Sequence, residues 1–166
     1  MDNDASPPFP RLGRRGEGWV AAQFGLIGAV AVTSWLGPPW SVWSPGSAVW
    51  RYPLAVTLGL GAAALGGPAL AHLGDSLTPY PRPRENGTLV AHGVYRHVRH
   101  PMYGAVLLGS TALALIGSPL ALVPAGVLAL ELEAKRRVEE HWLEDHYEGY
   151  RAYRARTRWR MVPGLW

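Results

Sequence analysis

PMYGAVLLGSTALALIGSPLALVPAGVLAL, residues 101–130, is thirty residues without one charged side chain. Read as one straight helix it would be about 45 Å long at 1.5 Å per residue, more than the ~30 Å hydrocarbon core of a bilayer requires. Its middle carries a break, Gly117-Ser118-Pro119, because proline cannot continue a helix and glycine loosens the chain before it. The stretch therefore predicts a hairpin of two helices, about 102–116 and 119–140. The second runs out of the apolar region into KRRVEEHWL, residues 135–143.

Working outward, two further uncharged runs precede the hairpin. Trp19 to Leu36 has eighteen residues with tryptophan near each end, the length and the interfacial residues of a membrane helix. Tyr52 to Ala71 is rich in Gly and Ala, which lets helices approach closely in lipid. Apolar residues make up 48% of the 166 and charged residues only 17%, against roughly 25% in soluble domains. The expected fold is an all-α integral membrane protein with four transmembrane helices, at about 19–36, 52–71, 102–116 and 119–136, as a single domain over 19–166. A polar, proline-rich stretch, 1–18, precedes it and reads as a flexible arm.

Charge placement orients these spans. Of sixteen Lys and Arg, only Arg51 lies near the Trp-rich loop after residue 36 or the turn at Ser118. The other fifteen fall in 1–18, in 72–100 or in the tail from Lys135. Four crossings put those three regions on one side, which the positive-inside rule makes cytoplasmic. Three crossings would leave the basic tail outside.

The net charge of +4 does not indicate nucleic-acid binding, since the arginines flank apolar segments and form no basic face on a soluble fold. With no cysteine, disulfides, thiolate chemistry and cysteine-ligated zinc are excluded. His92, His97, His100, His141 and His146 include no i,i+4 histidine pair with a glutamate between them, so no metal site is expected. No GxGxxG or Walker-type loop is present.

Two polar clusters converge on the predicted cytoplasmic face. One is GVYRHVRHPMY, residues 93–103, and the other is KRRVEE, residues 135–140. Each has a simple reading. Proline at the first turn suits a helix start, Arg99 can snorkel to water, and Lys135–Glu139 and Arg136–Glu140 are i,i+4 pairs of modest worth on a solvated face. Those readings leave unexplained the two tyrosines bracketing the first cluster and the meeting of both clusters on one face.

Together the segments resemble the isoprenylcysteine carboxyl methyltransferase family of membrane enzymes in its short bacterial form. The resemblance runs from LTPYPRPRENGTLVAHGVYRHVRHPMYG (77–104) through the apolar hairpin and KRRVEEHWL to YEGYRAYRARTRWRMVP (147–163). It implies S-adenosylmethionine as methyl donor, S-adenosylhomocysteine as product, and a cofactor site on the cytoplasmic side of a bacterial inner membrane. By position it implies a pocket lined by Thr88, Leu89, Val90, Tyr95, His100, Pro101, Met102 and Tyr103, with Glu139 or Glu140 facing the cofactor's ammonium group. Lys135 and Arg160 would lie toward the acceptor, so that Lys135, Glu140 and Arg160 are the expected catalytic residues. The acceptor it implies is lipophilic or prenylated and a carboxylate. Phospholipid amines and small thiols are the alternatives, as is a non-catalytic membrane scaffold.

Overall fold

A computed structural model describes Pro10 and residues 12–165. Most of the arm expected over 1–18, residues 1–9 and 11, lies outside the described residues. Helix α1 spans Glu17–Leu36 and starts after Gly16, whose φ of 87° is left-handed. A side chain there would also press on Pro81 and Trp142, so glycine is required twice over. The helix stops at Gly37, ahead of Pro38 and Pro39.

A short helix α2, Trp40–Trp43, leads into α3, Ala48–Leu73. α3 carries Pro53 and Pro68 within it, a substitution tolerated in membrane helices because neighbours re-satisfy the freed backbone. It begins four residues before the expected Tyr52 and takes in Arg51. That arginine is buried because its guanidinium donates to the carbonyl oxygens of Leu115 and Ile116, the latter at 3.2 Å, and lies over the Tyr52 ring. It caps the last carbonyls of α4, Pro101–Ile116, where a cation is favoured.

The break at 117–119 is present. Ser118 Oγ accepts from the Leu120 N–H and donates to the Pro38 carbonyl at 2.7 Å. Residues Pro119–Ala121 form one 3-10 turn before α5, Leu122–His146. α5 continues unbroken past residue 136, so its C-terminal half carries the charged cluster out of the apolar layer. A last helix, α6, covers Tyr150–Arg156. Among the described residues the structure is all-helical, without a β-strand.

α3 lies along α4, while α1 packs against both α5 and α4. Two helices, α1 and α3, are long and apolar enough to cross a membrane, and only 11% of the most apolar stretch of each is buried. A helix serving as the core of a soluble protein would be mostly buried. Here Trp35, Leu60, Val123 and Leu130 point outward and are exposed, as expected of surfaces facing lipid in place of water. α4 is apolar but only sixteen residues long.

The connection between α3 and α4 folds over one end of this bundle. The described part of the arm meets it there, with the Arg15 guanidinium 4.7 Å from the Tyr80 ring centre. The tail after α6 returns to the start of α4. Arg99 N–H donates to the Trp159 carbonyl at 3.0 Å and His100 N–H to the Arg160 carbonyl at 2.7 Å. This short parallel pairing seats Met161 against Gly104, where a side chain on the glycine would collide with the Met161 main chain.

Candidate active site

Proline at the first position of α4 fixes the direction of that helix and leaves His100 just outside it in a non-helical conformation (φ −125°, ψ 62°). Pairing with the tail holds His100 from the other side. The imidazole therefore points with little freedom toward α5, where two consecutive glutamates meet it. Its Nδ1 is 3.6 Å from Glu139 Oε2 and its Nε2 is 3.1 Å from Glu140 Oε1. Only the imidazolium form can donate from both nitrogens. Burial pulls the His100 pKa down, but the charges and hydrogen bonds of Glu139 and Glu140 outweigh it and raise it above the ordinary value.

The two glutamates differ sharply in their remaining partners. Glu140 is buried and also takes Arg99 Nε at 2.9 Å and Arg136 Nη1 at 2.8 Å. Burial works to raise its pKa, and His100, Arg136 and Arg99 together hold it well below the usual carboxylate range. Arg136 is in turn bound twice by Glu133, at 2.9 and 2.6 Å. Glu140 is thus enclosed by cations. Glu139 is partly exposed, accepts from the Tyr103 hydroxyl and faces an open cavity. The Tyr103 ring stacks on His100 with centres 5.4 Å apart.

That cavity, of about 420 Å³, has a mostly apolar lining, the size and character of a small-molecule site. Thr88, Leu89, Val90, Tyr95, His100, Pro101, Met102, Tyr103, Lys135 and Glu139 all line it. Segments some fifty positions apart in the chain are brought onto one space. Lys135 is almost fully buried, and its ammonium donates to Gln23 Oε1 at 2.5 Å and to the Pro79 carbonyl at 3.1 Å. It does this in place of the solvated i,i+4 pair with Glu139 that the spacing alone suggests. The other such pair, Arg136–Glu140, forms, but in the interior.

A family model for phospholipid methyltransferases matches residues 50–149. The chain belongs to the phospholipid methyltransferase family. The resemblance carried by the RHPMY and KRRVEE segments is thereby shown, and the family is one of membrane methyltransferases. The chain is also similar to the cobalt-zinc-cadmium resistance protein CzcN of Cupriavidus metallidurans, at 34% identity over 110 residues, which are 65% of this chain and 49% of that protein. It therefore spans about half the length of the curated relative it matches. No solved structure matches.

In this phospholipid methyltransferase family member, two residues read from the sequence as catalytic, Arg160 and Glu140, are not in the lining of the apolar cavity. They line a second, polar cavity on the other side of the His100–Glu140 contact. The tail pairing uses the Arg160 main chain, and its half-exposed guanidinium reaches to 3.9 Å from Glu133. The sequence reading also passed over several residues. Gln23 is the one amide in the first apolar run, and its isolation there was the available signal, since a polar group at membrane depth needs a reason. Tyr147, Tyr150 and Tyr153 line the apolar cavity from the tail side. Their regular spacing was visible, but nothing local indicated where α6 would fold.

Proposed function

We propose that the protein is an S-adenosylmethionine-dependent methyltransferase that methylates a lipophilic carboxylate in the membrane. The observation that carries this reading is the single cavity onto which 88–90, 95–103, Lys135 and Glu139 converge. The residues present fit the cofactor. Glu139, the glutamate with no arginine partner among the described residues, turns its carboxylate toward the cavity and an incoming ammonium group, Leu89, Val90 and Met102 offer apolar walls, and Tyr150 has a buried hydroxyl with no hydrogen-bond partner.

S-adenosylmethionine supplies a methyl group on a sulfonium, which leaves as a neutral thioether. The protein's own task is alignment, worth up to ~7–11 kcal/mol in favourable cases. Glu139 would anchor one end of the cofactor, with Tyr103 and His100 fixing the carboxylate's rotamer. Lys135, held at the cavity wall by Gln23 and the Pro79 carbonyl, would face the acceptor carboxylate. A carboxylate acceptor is already deprotonated at neutral pH. This suits a site whose cavity-lining imidazole, His100, lies between two carboxylates that favour its protonated form over the form that accepts a proton. Phe24 and Ile27 of α1 and Val106 of α4 extend the lining toward the outer surface of the bundle, a path fitted to a lipid chain.

In the same reading all four long helices cross the bacterial inner membrane, the hairpin of α4 and α5 included, and both termini are cytoplasmic. The basic residues of 72–100 and of the tail support this orientation.

The test is calorimetric binding of S-adenosylhomocysteine to the detergent-purified protein, repeated in nanodiscs, followed by an acceptor screen. Saturable binding, weakened by Glu139→Gln, is expected. Failure of folded protein to bind would favour a non-catalytic scaffold. The screen should pair prenylated cysteine and fatty-acyl carboxylates with phosphatidylethanolamine and small thiols. Methylation of an amine or thiol with no carboxylate turnover would overturn the acceptor assignment.

A further inference from the structure

Behind the His100–Glu140 contact lies the polar cavity, about 410 Å³ in volume, for which methyl transfer provides no use. Five guanidiniums converge on it from four separate elements: Arg99 before α4, Arg136 and Arg137 on α5, Arg154 on α6 and Arg160 in the tail. Three carboxylates pair with them, Glu133, Glu140 and Glu144, so five positive charges meet three negative ones.

The inner arginines are fixed. Arg99 is bonded to Glu140 and to the Thr157 and Arg158 carbonyls, and Arg136 to Glu133 and Glu140. The outer three, Arg137, Arg154 and Arg160, are about half exposed. Arg137 is bonded to Glu133 at 2.8 Å, and among the described residues Arg154 and Arg160 each make a single ion pair, with Glu144 and with Glu133 at 3.9 Å respectively. Both therefore keep donors pointing into open space at the end of the bundle where the apolar helices give way to charge.

We infer that this arginine-lined cavity binds the phosphodiester headgroup of an anionic membrane lipid, at a site separate from the methyl-transfer cavity. A planar guanidinium matches phosphate oxygens in a bidentate fork, and the excess charge favours an anion over a zwitterion. The family's membrane setting and the cavity's position at the end of the apolar layer select a lipid over a free anion. Arg99 and Glu140 line this cavity and also contact His100 or the catalytic cavity, so the lipid would brace the wall against which His100 is held.

The test is native mass spectrometry of the detergent-released protein titrated with dioleoyl-phosphatidylglycerol, with dioleoyl-phosphatidylcholine and inorganic phosphate as separate arms. Retention of phosphatidylglycerol alone is expected, and the double variant Arg154→Gln/Arg160→Gln should weaken it about tenfold or more. The substitution Glu144→Gln, which removes a competing carboxylate, should tighten it and serves as the second variant if the first does not fold. Equal retention of phosphatidylcholine would overturn the proposal, as would phosphatidylglycerol affinity unchanged by both variants. Equal binding of inorganic phosphate would transfer the cavity to a soluble anion and overturn the lipid assignment.

Discussion

The main-chain carbonyl of Met161 occupies the space in which a side chain on Gly104 would begin. The tail is thus seated directly on the first turn of α4, beside the bond from His100 N–H to the Arg160 carbonyl. Gly104→Ala should push the tail off, at a cost of about 1–3 kcal/mol for overpacking. Thermal unfolding in nanodiscs should report the loss, and S-adenosylhomocysteine affinity should fall with it. Full affinity in a destabilised variant would mean the tail's seat does not shape the cavity.

The neighbouring glutamates should separate cleanly. Glu139→Gln removes a charge facing the cavity and should lower cofactor affinity by ~10-fold or more, in line with a charged hydrogen bond of about 1.5–3 kcal/mol, with little change in melting. Glu140→Gln leaves Arg99, Arg136 and His100 facing a neutral amide in the interior and should destabilise by about 3–5 kcal/mol. The two effects are read by calorimetry and thermal unfolding on the same preparations. A reversed pattern would exchange their assignments.

Arg51 stands at the opposite end of the bundle, capping Leu115 and Ile116. Arg51→Met should destabilise by about 1–3 kcal/mol through the carbonyls left buried. Cofactor affinity in the fraction that stays folded should be unchanged, because nothing at that end touches the cavity.

Stability should depend on pH through His100. Its folded-state pKa is raised above the ordinary 6.5, so the native state holds that proton more tightly than the unfolded chain does. The stabilisation is complete below about pH 6.5 and is lost as pH rises through the folded value. Glu140 acts in the opposite sense: its lowered pKa gives stability that is present above the ordinary 4.5 and lost as pH falls through the folded value. Melting temperature should therefore decline as pH rises above about 6.5, and His100→Gln should flatten that decline. An unchanged slope above about pH 6.5 in the variant would show that another group titrates there.

Reporter fusions after residue 12 and at the C-terminus should both signal from the cytoplasm, and one in the loop at Ser44–Gly46 from the far side. An external C-terminus would refute the crossing of the hairpin.

Most of the helical frame was legible because it is local. The break at Gly117–Pro119, the start at Pro101 and the two long apolar runs each follow from residues within one or two turns. What escaped is non-local. Arg51 read as a loop charge, but the carbonyls it caps lie some sixty positions later, so α3 extends back to include it. Of the two readings of Lys135, the solvated pair with Glu139 is not what forms, because Gln23 and the Pro79 carbonyl draw the ammonium inward. Ten of the residues indicated by the resemblance line one cavity. The side-chain positions of Arg160 and Glu140 depend on how the tail crosses His100, which no spacing in the sequence encodes.

The pairing of 98–100 with 159–160 also fixes an order of events during synthesis. Residues 159–161 leave the ribosome only after α1, α3, α4 and α5 have been made. His100 then waits, without its main-chain partner, through the translation of about sixty further residues. Until then the polar end of the bundle, where the start of α4 meets the charged half of α5, lacks the segment that closes it.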